Sequence, residues 1–435
     1  MCFLYRDVLG HGLVTSEGTR WSSHLKVIGP LFRHATIPRL HPIFQSASDR
    51  FIENIEKARK NPTKVTNNNN THATPIQGIG NNQIDIELSG AFRQVTLEVI
   101  SAVAIGLTPD KAGVFPNLFE TILDELNRRV YEPYRALWLP LQLPHRKRIG
   151  ELNKIVYDII AERRKNRETL KLQGNTSTNN PTVNDIGEGK GDILDMILEN
   201  SERLQIPFTI EDIMDELKTQ LLAGHETSSM MLTWTCYLLA RHPDKLRIAV
   251  EQVDKELGIL PGVKSTVPNA EVCINPGNEK YSALDYLDLS MKEALRLYSP
   301  VPILARETDQ GISIGEDTIN KKPGTYLPPK TAILISIWTM HRNRDLWGND
   351  VDEFKPERFR TEPIPCSFIP FSAGLRVCVG QHLAMNEAKV VLGTLLRHYT
   401  ISLKEGQAEP ITDKYIIPVR PKDGLHIILT PRKPN

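Results

Sequence analysis

One cysteine near the C-terminus belongs to the sequence pattern that most clearly predicts chemistry. Cys378 lies between Gly374 and Gly380, with Arg376 two residues before it and Phe371 seven residues before it. An apolar, helix-like run follows, so the thiol would lie at a helix N-terminus, where the dipole and free backbone N–H groups stabilise a thiolate. The glycines would let the backbone approach a flat ligand, and the arginine can pair with a carboxylate. We interpret this segment as a loop in which a cysteine ligates heme iron.

The alternative for this segment is a buried structural cysteine beside the start of a helix. That alternative would be favoured for a lone cysteine, but here five residue types stand at fixed spacings, which is a far more specific pattern. The loop resembles the heme-binding signature of the cytochrome P450 family and matches it at every fixed position. The resemblance implies that heme b is the cofactor, with the Cys378 thiolate as the axial ligand of its iron.

A second unusual segment lies inside the longest predicted helix, residues 209–241. The centre of this helix is apolar on nearly all sides, which predicts that it is buried. Gly224 costs such a helix about 1 kcal/mol, and the polar groups of Glu226 and Thr227 need partners there. Several local preferences are broken together, which often marks a functional site. The alternative is a kink, in which Thr227 donates a hydrogen bond to a carbonyl group one turn earlier.

This segment resembles the oxygen-activation motif of the same family. The resemblance implies that Gly224 opens space over the iron, that Thr227 hydrogen-bonds to dioxygen, and that Glu226 helps to relay protons. His225 stands beside them in the sequence and is expected to be structural or exposed.

A third pattern is an acid and a base three residues apart in a helical segment. Glu293 and Arg296 share a helix face at this spacing and can pair. The spacing alone is common by chance, but a proline-rich turn follows it, and Arg358 lies in a downstream Pro-Glu-Arg-Phe sequence. These positions resemble the family's buried Glu-Arg-Arg network. The resemblance implies that Glu293, Arg296 and Arg358 fold the heme pocket rather than perform chemistry, since a buried charge needs its partner.

Contacts to the heme carboxylates are implied by the same resemblance. Arg306 and Arg376 match family positions that make such contacts, and Trp21 matches a helix near the heme edge. The family usually has an arginine four residues after this tryptophan, where this chain has Leu25. The neighbouring Lys26 is the alternative for that contact.

Length and composition limit the remaining possibilities. The chain has 435 residues, 40% of them apolar, and a net charge of +1, so no nucleic-acid partner is indicated. Its five cysteines include no Cys-x-x-Cys pair, which argues against a disulfide framework or a zinc ribbon. No run approaches ~18 uninterrupted apolar residues, so no transmembrane helix is predicted. We expect a single catalytic domain over residues 1–435, with disordered insertions at 61–83 and 173–190, where apolar residues are few.

The predicted secondary structure is mainly helical. Helices are predicted for residues 149–169, for residues 209–241 with a capping box at Thr209, and for residues 243–257, which end at a glycine. The strand signals fall late, at residues 312–314, 331–338 and 426–429. This pattern predicts a mainly α fold with small β-sheets, as in the cytochrome P450 fold, truncated at its N-terminus.

The resemblance implies a heme-dependent monooxygenase that inserts one atom of dioxygen into a hydrophobic small molecule, such as a lipid, fatty acid, sterol or terpenoid. Electrons would come from an NADPH-dependent flavoprotein reductase, with cytochrome b5 as a further donor, because the sequence contains no dinucleotide-binding fingerprint. Two alternatives stay open. One is a truncated, non-catalytic heme-binding remnant. The other is a hydroperoxide-rearranging heme-thiolate enzyme, against which the intact segment around Thr227 argues.

Membrane association is expected on two grounds. Residues 136–144 are mostly apolar and precede the basic run 145–148, which suits a membrane surface, although a core loop beside a solvated helix start fits equally well. Within the family, the chain most resembles eukaryotic microsomal members and bacterial fatty-acid hydroxylases. For a eukaryotic member, this resemblance implies the cytosolic face of the endoplasmic reticulum membrane. In such members an anchor helix, a hinge and the first strands precede the segment at which this chain begins, so we expect a longer, anchored form.

Overall fold

The computed structural model describes residues 2–61, 76–80, 82–109, 115–172, 191–263, 271–315, 324–407, 409–412 and 418–432. Residues 173–190, predicted as a disordered insertion, lie outside these ranges. The described helices are α1 (Cys2–Leu9), α2 (Gly18–Ile28), α3 (His41–Lys60), α4 (Leu88–Ile105), α5 (Phe115–Tyr131), α6 (Leu139–Leu172), α7 (Ile193–Leu204), α8 (Ile210–Arg241), α9 (Pro243–Leu257), α10 (Asn278–Ser282), α11 (Asp285–Leu297), α12 (Ile337–Met340), α13 (Arg344–Trp347) and α14 (Gln381–His398).

The strands form three small antiparallel sheets. They are β1 (Ile76–Gly80), β2 (Gln83–Glu87), β3 (Ile303–Glu307), β4 (Ile312–Ile314), β5 (Thr325–Leu327), β6 (Ala332–Ser336), β7 (Tyr399–Leu403) and β8 (His426–Pro431). The largest sheet has the order β1-β2-β8-β7, and β3 pairs with β6 as β4 pairs with β5. The prediction of a mainly α fold with small sheets is therefore confirmed.

Two local predictions were wrong. The expected disordered insertion at residues 61–83 contains strand β1 and the start of β2, while residues 62–75 and 81 lie outside the described ranges. Ile84 and Ile86 of β2 are fully buried opposite Leu429 and Ile427 of β8, and this distant pairing orders the hairpin. The strand predicted for residues 331–338 ends at Ser336, whose side chain instead caps a short helix.

The long helix α8 is the centre of the fold. Thr209 caps it through the predicted capping box with Asp212, in which each side chain accepts a hydrogen bond from the other residue's backbone N–H. Helix α4 packs along α8. Of the described helices, α4 alone is long and apolar enough to cross a membrane, but 67% of it is buried within the protein, as expected of a core helix. Helix α4 therefore supports the central segment of α8.

Candidate active site

The cysteine loop is a tight turn that delivers Cys378 to the start of α14. The backbone N–H of Cys378 donates to the carbonyl oxygen of Phe371 at 2.8 Å, which closes the loop. Gly374 has φ +72°, a conformation that L side chains rarely adopt, and no described atom lies within 4 Å of where its Cβ would stand. Glycine is therefore needed for the backbone turn at Gly374, and the surface beside it is open. Gly380 precedes the first residue of α14.

The thiol of Cys378 has a solvent-accessible surface, yet much of the protein surrounds it. Burial raises the pKa of Cys378 above its ordinary value, while hydrogen bonds from the backbone N–H groups of Gly380 and Gln381 lower it. The same two N–H groups would stabilise a thiolate once a metal ion binds the sulfur, because they point at the charge that develops. The predicted helix-terminus environment of the thiol is present.

The loop offers a single metal-binding atom, the sulfur of Cys378, so it suits a metal ion whose other ligands come from a cofactor. In the described ranges there is no group of three or more His, Cys, Asp or Glu side chains that could hold a metal ion. A single sulfur cannot complete a coordination sphere, whereas heme iron needs only one or two axial ligands from the protein. Leu375 and Val377, on either side of the loop's arginine, are 85% and 44% exposed, so the loop presents apolar surface suited to a flat, apolar macrocycle. The residues present therefore fit heme.

Three predicted cofactor contacts converge on the same loop. The guanidinium group of Arg376 stacks over the ring of Trp21 at 4.0 Å and donates two hydrogen bonds of 3.1 Å to the carbonyl oxygen of Ser16. Arg306, on β3, donates to the hydroxyl of Ser372 at 3.1 Å. The two arginines and the tryptophan thus meet at one loop, although they are far apart in the sequence.

The contact proposed for Lys26 is not favoured by its position. Trp21 and Leu25 are four residues apart and share a face of α2. Lys26 lies about 140° around the helix from Trp21, because each residue turns an α-helix by about 100°. Its side chain is exposed. The loss of the usual arginine at Leu25 is therefore not compensated on the Trp21 face of α2.

The centre of α8 has one open face. Ala223 is exposed, and Gly224 and Thr227 are half-buried, whereas the side chains before and after them are largely buried. The hydroxyl of Thr227 donates to the carbonyl oxygen of Ala223 at 2.5 Å, which is the back-bond weighed as the alternative to a functional role. This bond is compatible with both a structural and a functional role for Thr227, because the hydroxyl is also on the open face and can rotate.

Gly224 lies where α4 and α8 approach closely. A Cβ atom at this position would stand 2.7 Å from the side chain of Ile100 on α4. Any larger residue here would therefore have to displace the Ile100 side chain, so glycine favours the close approach of the two helices. The role expected for Gly224 over the iron stays a prediction.

Glu226 is buried and held by two arginines. Arg420 forms an ion pair with one carboxylate oxygen, and Arg93 of α4 lies 3.4 Å from the other. Burial alone would raise the pKa of Glu226, but Arg420 and Arg93 together lower it to about 2. The side chain is consequently a carboxylate at neutral pH. His225 beside it is fully buried rather than exposed, and burial lowers the pKa of this imidazole to about 4.

A second carboxyl group lies on the other side of the same segment. Glu387 of α14 is 1% exposed, and within the described ranges its one partner is the hydroxyl of Ser228, the residue after Thr227. Burial raises the pKa of Glu387 to about 8, and the Ser228 hydrogen bond lowers it only in part. Two carboxyl groups thus flank Thr227 and Ser228, one ionised and one protonated at neutral pH.

The structure brings the three network residues together. Arg296 donates to both carboxylate oxygens of Glu293, at 2.7 and 2.9 Å, and Arg358 donates to one of them at 3.1 Å. Both Glu293 and Arg296 are completely buried. Arg358 also pairs with Asp350 at 2.8 Å. Every charge in this cluster has a partner, as burial requires.

The apolar segment 136–144 is largely exposed and partly helical. Leu137, Trp138 and Leu143 are 85%, 56% and 59% exposed, so the core-loop alternative is wrong for these residues. Helix α6 begins at Leu139, ten residues before the predicted start, because its first turns hold two prolines that hide the helical periodicity. The basic residues Arg146 and Lys147 are also exposed.

Three side chains that contact the site were not identified from the sequence: Arg93, Arg420 and Glu387. Glu387 could have been identified, since it is a lone acid in the apolar run that follows the cysteine loop. Arg93 and Arg420 could not have been identified from their local sequence. Arg420 pairs with a residue 194 positions away, and nothing in its local sequence distinguishes it from a surface arginine.

This chain is similar to known proteins along nearly its whole length. The family model described as cytochrome P450 matches residues 3–428, a range that includes every site residue above. A cytokinin hydroxylase of Arabidopsis thaliana is 30% identical over 98% of this chain and 73% of its own length. Secologanin synthase 2 of Catharanthus roseus is 29% identical, over 96% and 71% of the two chains. The 11-oxo-beta-amyrin 30-oxidase of Medicago truncatula is 26% identical, over 97% and 72%.

Proposed function

The chain belongs to the cytochrome P450 family, and we propose that it is a monooxygenase that inserts one oxygen atom into a hydrophobic small molecule at a heme held by Cys378. The single observation that supports this most directly is the Cys378 loop. It presents one thiol at a helix N-terminus, with two backbone N–H groups directed at the sulfur and an open apolar surface beside it. When bound there, heme supplies the redox chemistry, and the thiolate favours cleavage of the O–O bond.

The arginines would orient the cofactor. Arg376 lies in the loop and Arg306 contacts it, and a guanidinium group can pair with a carboxylate. Trp21 fixes the position of the Arg376 guanidinium by stacking. Glu293, Arg296 and Arg358 would act at a distance, by holding together the segments on which the loop rests.

The open face of α8 would serve the oxygen chemistry. Thr227 can donate or accept a hydrogen bond at this face, so it would hold dioxygen or an ordered water in place. Glu226 is kept as a carboxylate by Arg420 and Arg93, so at neutral pH it can accept a proton from water but holds none of its own. To take part in proton relay, the Glu226 carboxylate would first have to separate from one of its arginines. It would then accept a proton from water and pass it on, because it carries no proton at the start.

Two relatives named above are a hydroxylase and an oxidase, which supports the oxidation of a small molecule by this chain. Electrons would come from an NADPH-dependent flavoprotein reductase, with cytochrome b5 as a further donor.

The exposed side chains of Leu137, Trp138 and Leu143 stand next to exposed basic residues, an arrangement that favours contact with an anionic membrane surface. We place the protein at the cytosolic face of the endoplasmic reticulum membrane.

The test is the absorption spectrum of the reduced protein with carbon monoxide. The wild type should give the spectrum of a thiolate-ligated heme, and Cys378→Ala should abolish it. Cys366→Ala, which removes an exposed thiol twelve positions earlier, should leave it unchanged. Retention of the thiolate-type spectrum in Cys378→Ala would exclude the assignment. With a reductase present, NADPH consumption that depends on substrate identifies a monooxygenase, whereas turnover of a hydroperoxide without NADPH would identify the rearranging alternative.

A further inference from the structure

We propose that His341 positions the Cys378 loop by accepting a hydrogen bond from its backbone, an inference that rests on the proposed function of Cys378. His341 follows α12 and is completely buried. It lies between two features already described, the Glu293–Arg296 pair and the segment that leads into the loop. No pattern in the sequence marked it.

The first contact is made by the imidazole ring. The backbone N–H of Ile369 donates to the Nε2 atom of His341 at 3.1 Å. The carbonyl oxygen of the same Ile369 accepts from the backbone N–H of Ser372 at 3.0 Å. Phe371, between them, accepts the hydrogen bond from Cys378 that closes the loop. The ring therefore holds the turn from which the Cys378 loop departs.

The second contact is made by the backbone of His341. Its carbonyl oxygen accepts a hydrogen bond from Nη1 of Arg296 at 2.9 Å. Arg296 is in turn fixed by Glu293 at 2.7 Å. One residue thus joins the buried ion pair to the loop, and a displacement of Arg296 would reach Ile369 through His341.

Only one orientation and one tautomer of the His341 ring allow it to accept the hydrogen bond from Ile369. It stacks against Phe368 at 5.3 Å and meets Trp347 edge-on at 6.4 Å. Since Nε2 accepts a hydrogen bond, the proton of the neutral ring must be on Nδ1, which has no partner among the described residues. Burial lowers the pKa of His341 to about 4. Weak interactions of the ring with the backbone of Arg296 and Leu295 oppose this shift, whereas the charges of Arg296 and Arg342 act in the same direction as burial. At neutral pH the acceptor atom is therefore always available.

The alternative is that His341 is a packing residue whose ring shape alone matters. The two possibilities differ in what a substitution must preserve. His341→Phe keeps an aromatic ring but removes the acceptor, whereas His341→Gln loses the ring but can place an acceptor oxygen near the Nε2 position. His145 supplies a matched control, because it is 1% exposed, its ring nitrogens have no described partner, and burial lowers its pKa to about 4 as well.

The experiment compares His341→Phe, His341→Gln and His145→Phe with the wild type in two measurements. The first is the fraction of bound heme that gives the thiolate-type carbon monoxide spectrum, at equal total heme. The second is hydrogen–deuterium exchange of the peptide that contains Ile369. We expect His341→Phe to lose most of the thiolate-type fraction and to speed exchange of the Ile369 amide about tenfold, as for a lost hydrogen bond. His341→Gln should stay close to the wild type in both, and so should His145→Phe.

Two results would overturn the proposal: an unchanged thiolate fraction in His341→Phe, or a loss in His341→Gln as large as that in His341→Phe. If His341→Phe fails to fold, hydrogen–deuterium exchange of the Ile369 amide in His341→Gln tests the proposal instead. A His341→Gln protein that loses protection of this amide but keeps the thiolate-type spectrum would also overturn the proposal. A wild type that lacks the thiolate-type spectrum contradicts the proposed function itself, so the two failures are distinguishable.

Discussion

Half-buried Arg420 and buried Glu226 form an ion pair across 194 positions of the chain. Arg420 reaches α8 because its own segment is anchored there: the indole N–H of Trp234 donates to the carbonyl oxygen of Val419 at 3.0 Å. The carbonyl oxygen of Pro300 accepts from the Val419 N–H at 3.0 Å. A C-terminal loop thereby sets the charge of the acid in the central helix.

Arg420→Gln should destabilise the protein by about 3 kcal/mol, because among the described residues Glu226 then keeps only Arg93 as a close cationic partner in a buried site. Urea unfolding of the heme-loaded protein measures the effect. Arg241→Gln is the control, since its ion pair with Glu409 is largely exposed and should contribute at most about 1 kcal/mol. Equal effects of the two substitutions would mean that the Glu226 pair is not effectively buried.

Thr227→Ala should retain heme but form at least about tenfold less product per NADPH, with hydrogen peroxide released instead, because the hydroxyl on the open face is lost. Thr235→Ala is a matched control in the same helix. Its hydroxyl makes the same kind of back-bond, to Met231 at 2.7 Å, but it is buried away from the opening. If both variants keep the wild-type ratio of product to NADPH, the Thr227 hydroxyl only satisfies a backbone carbonyl.

Glu387→Gln should change how stability depends on pH. Folding raises the pKa of Glu387 to about 8 from its ordinary 4.5, so between these values the folded state holds a proton that the unfolded state has lost. The wild type should therefore lose stability relative to Glu387→Gln as pH rises from 5 to 8, by at most roughly 1.4 kcal/mol per pH unit. Urea unfolding at several pH values measures this. Glu405→Gln, at an exposed glutamate, should show no such trend; parallel pH profiles for wild type and Glu387→Gln would contradict the prediction.

Glu293→Ala should prevent folding around heme, because Arg296 and Arg358 would lose their shared carboxylate inside the protein, at a cost of about 3–5 kcal/mol. Soluble yield and heme content per protein are the measurements. Glu307→Ala removes an exposed glutamate paired with Lys330 and should leave both unchanged. A soluble Glu293→Ala protein with full heme content would show that the network is dispensable.

Local patterns were sufficient for several features. The capping box at Thr209, the helix over residues 243–257 and the short spacing of Glu293 and Arg296 depend on contacts within one or two turns, so the residues themselves encode them. The cysteine loop is also local. Its turn requires glycine at a positive φ, and its thiol lies at the start of the helix that follows directly.

Features that depend on distant partners were decided only by the tertiary structure. Strand β1 and the first residue of β2 fell within the insertion predicted to be disordered at residues 61–83, because the order of this hairpin comes from pairing with β8 near the other end of the chain. The close approach of Gly224 to Ile100 was not predicted, because the sequence does not show which side of α8 meets α4. The protonation states of Glu226 and Glu387 differ because one meets two arginines and the other a single hydroxyl, and burial makes that difference large. Sequence spacing specifies which face of a helix a residue occupies, but the charge of a buried carboxyl group is set by whatever the fold places against that face.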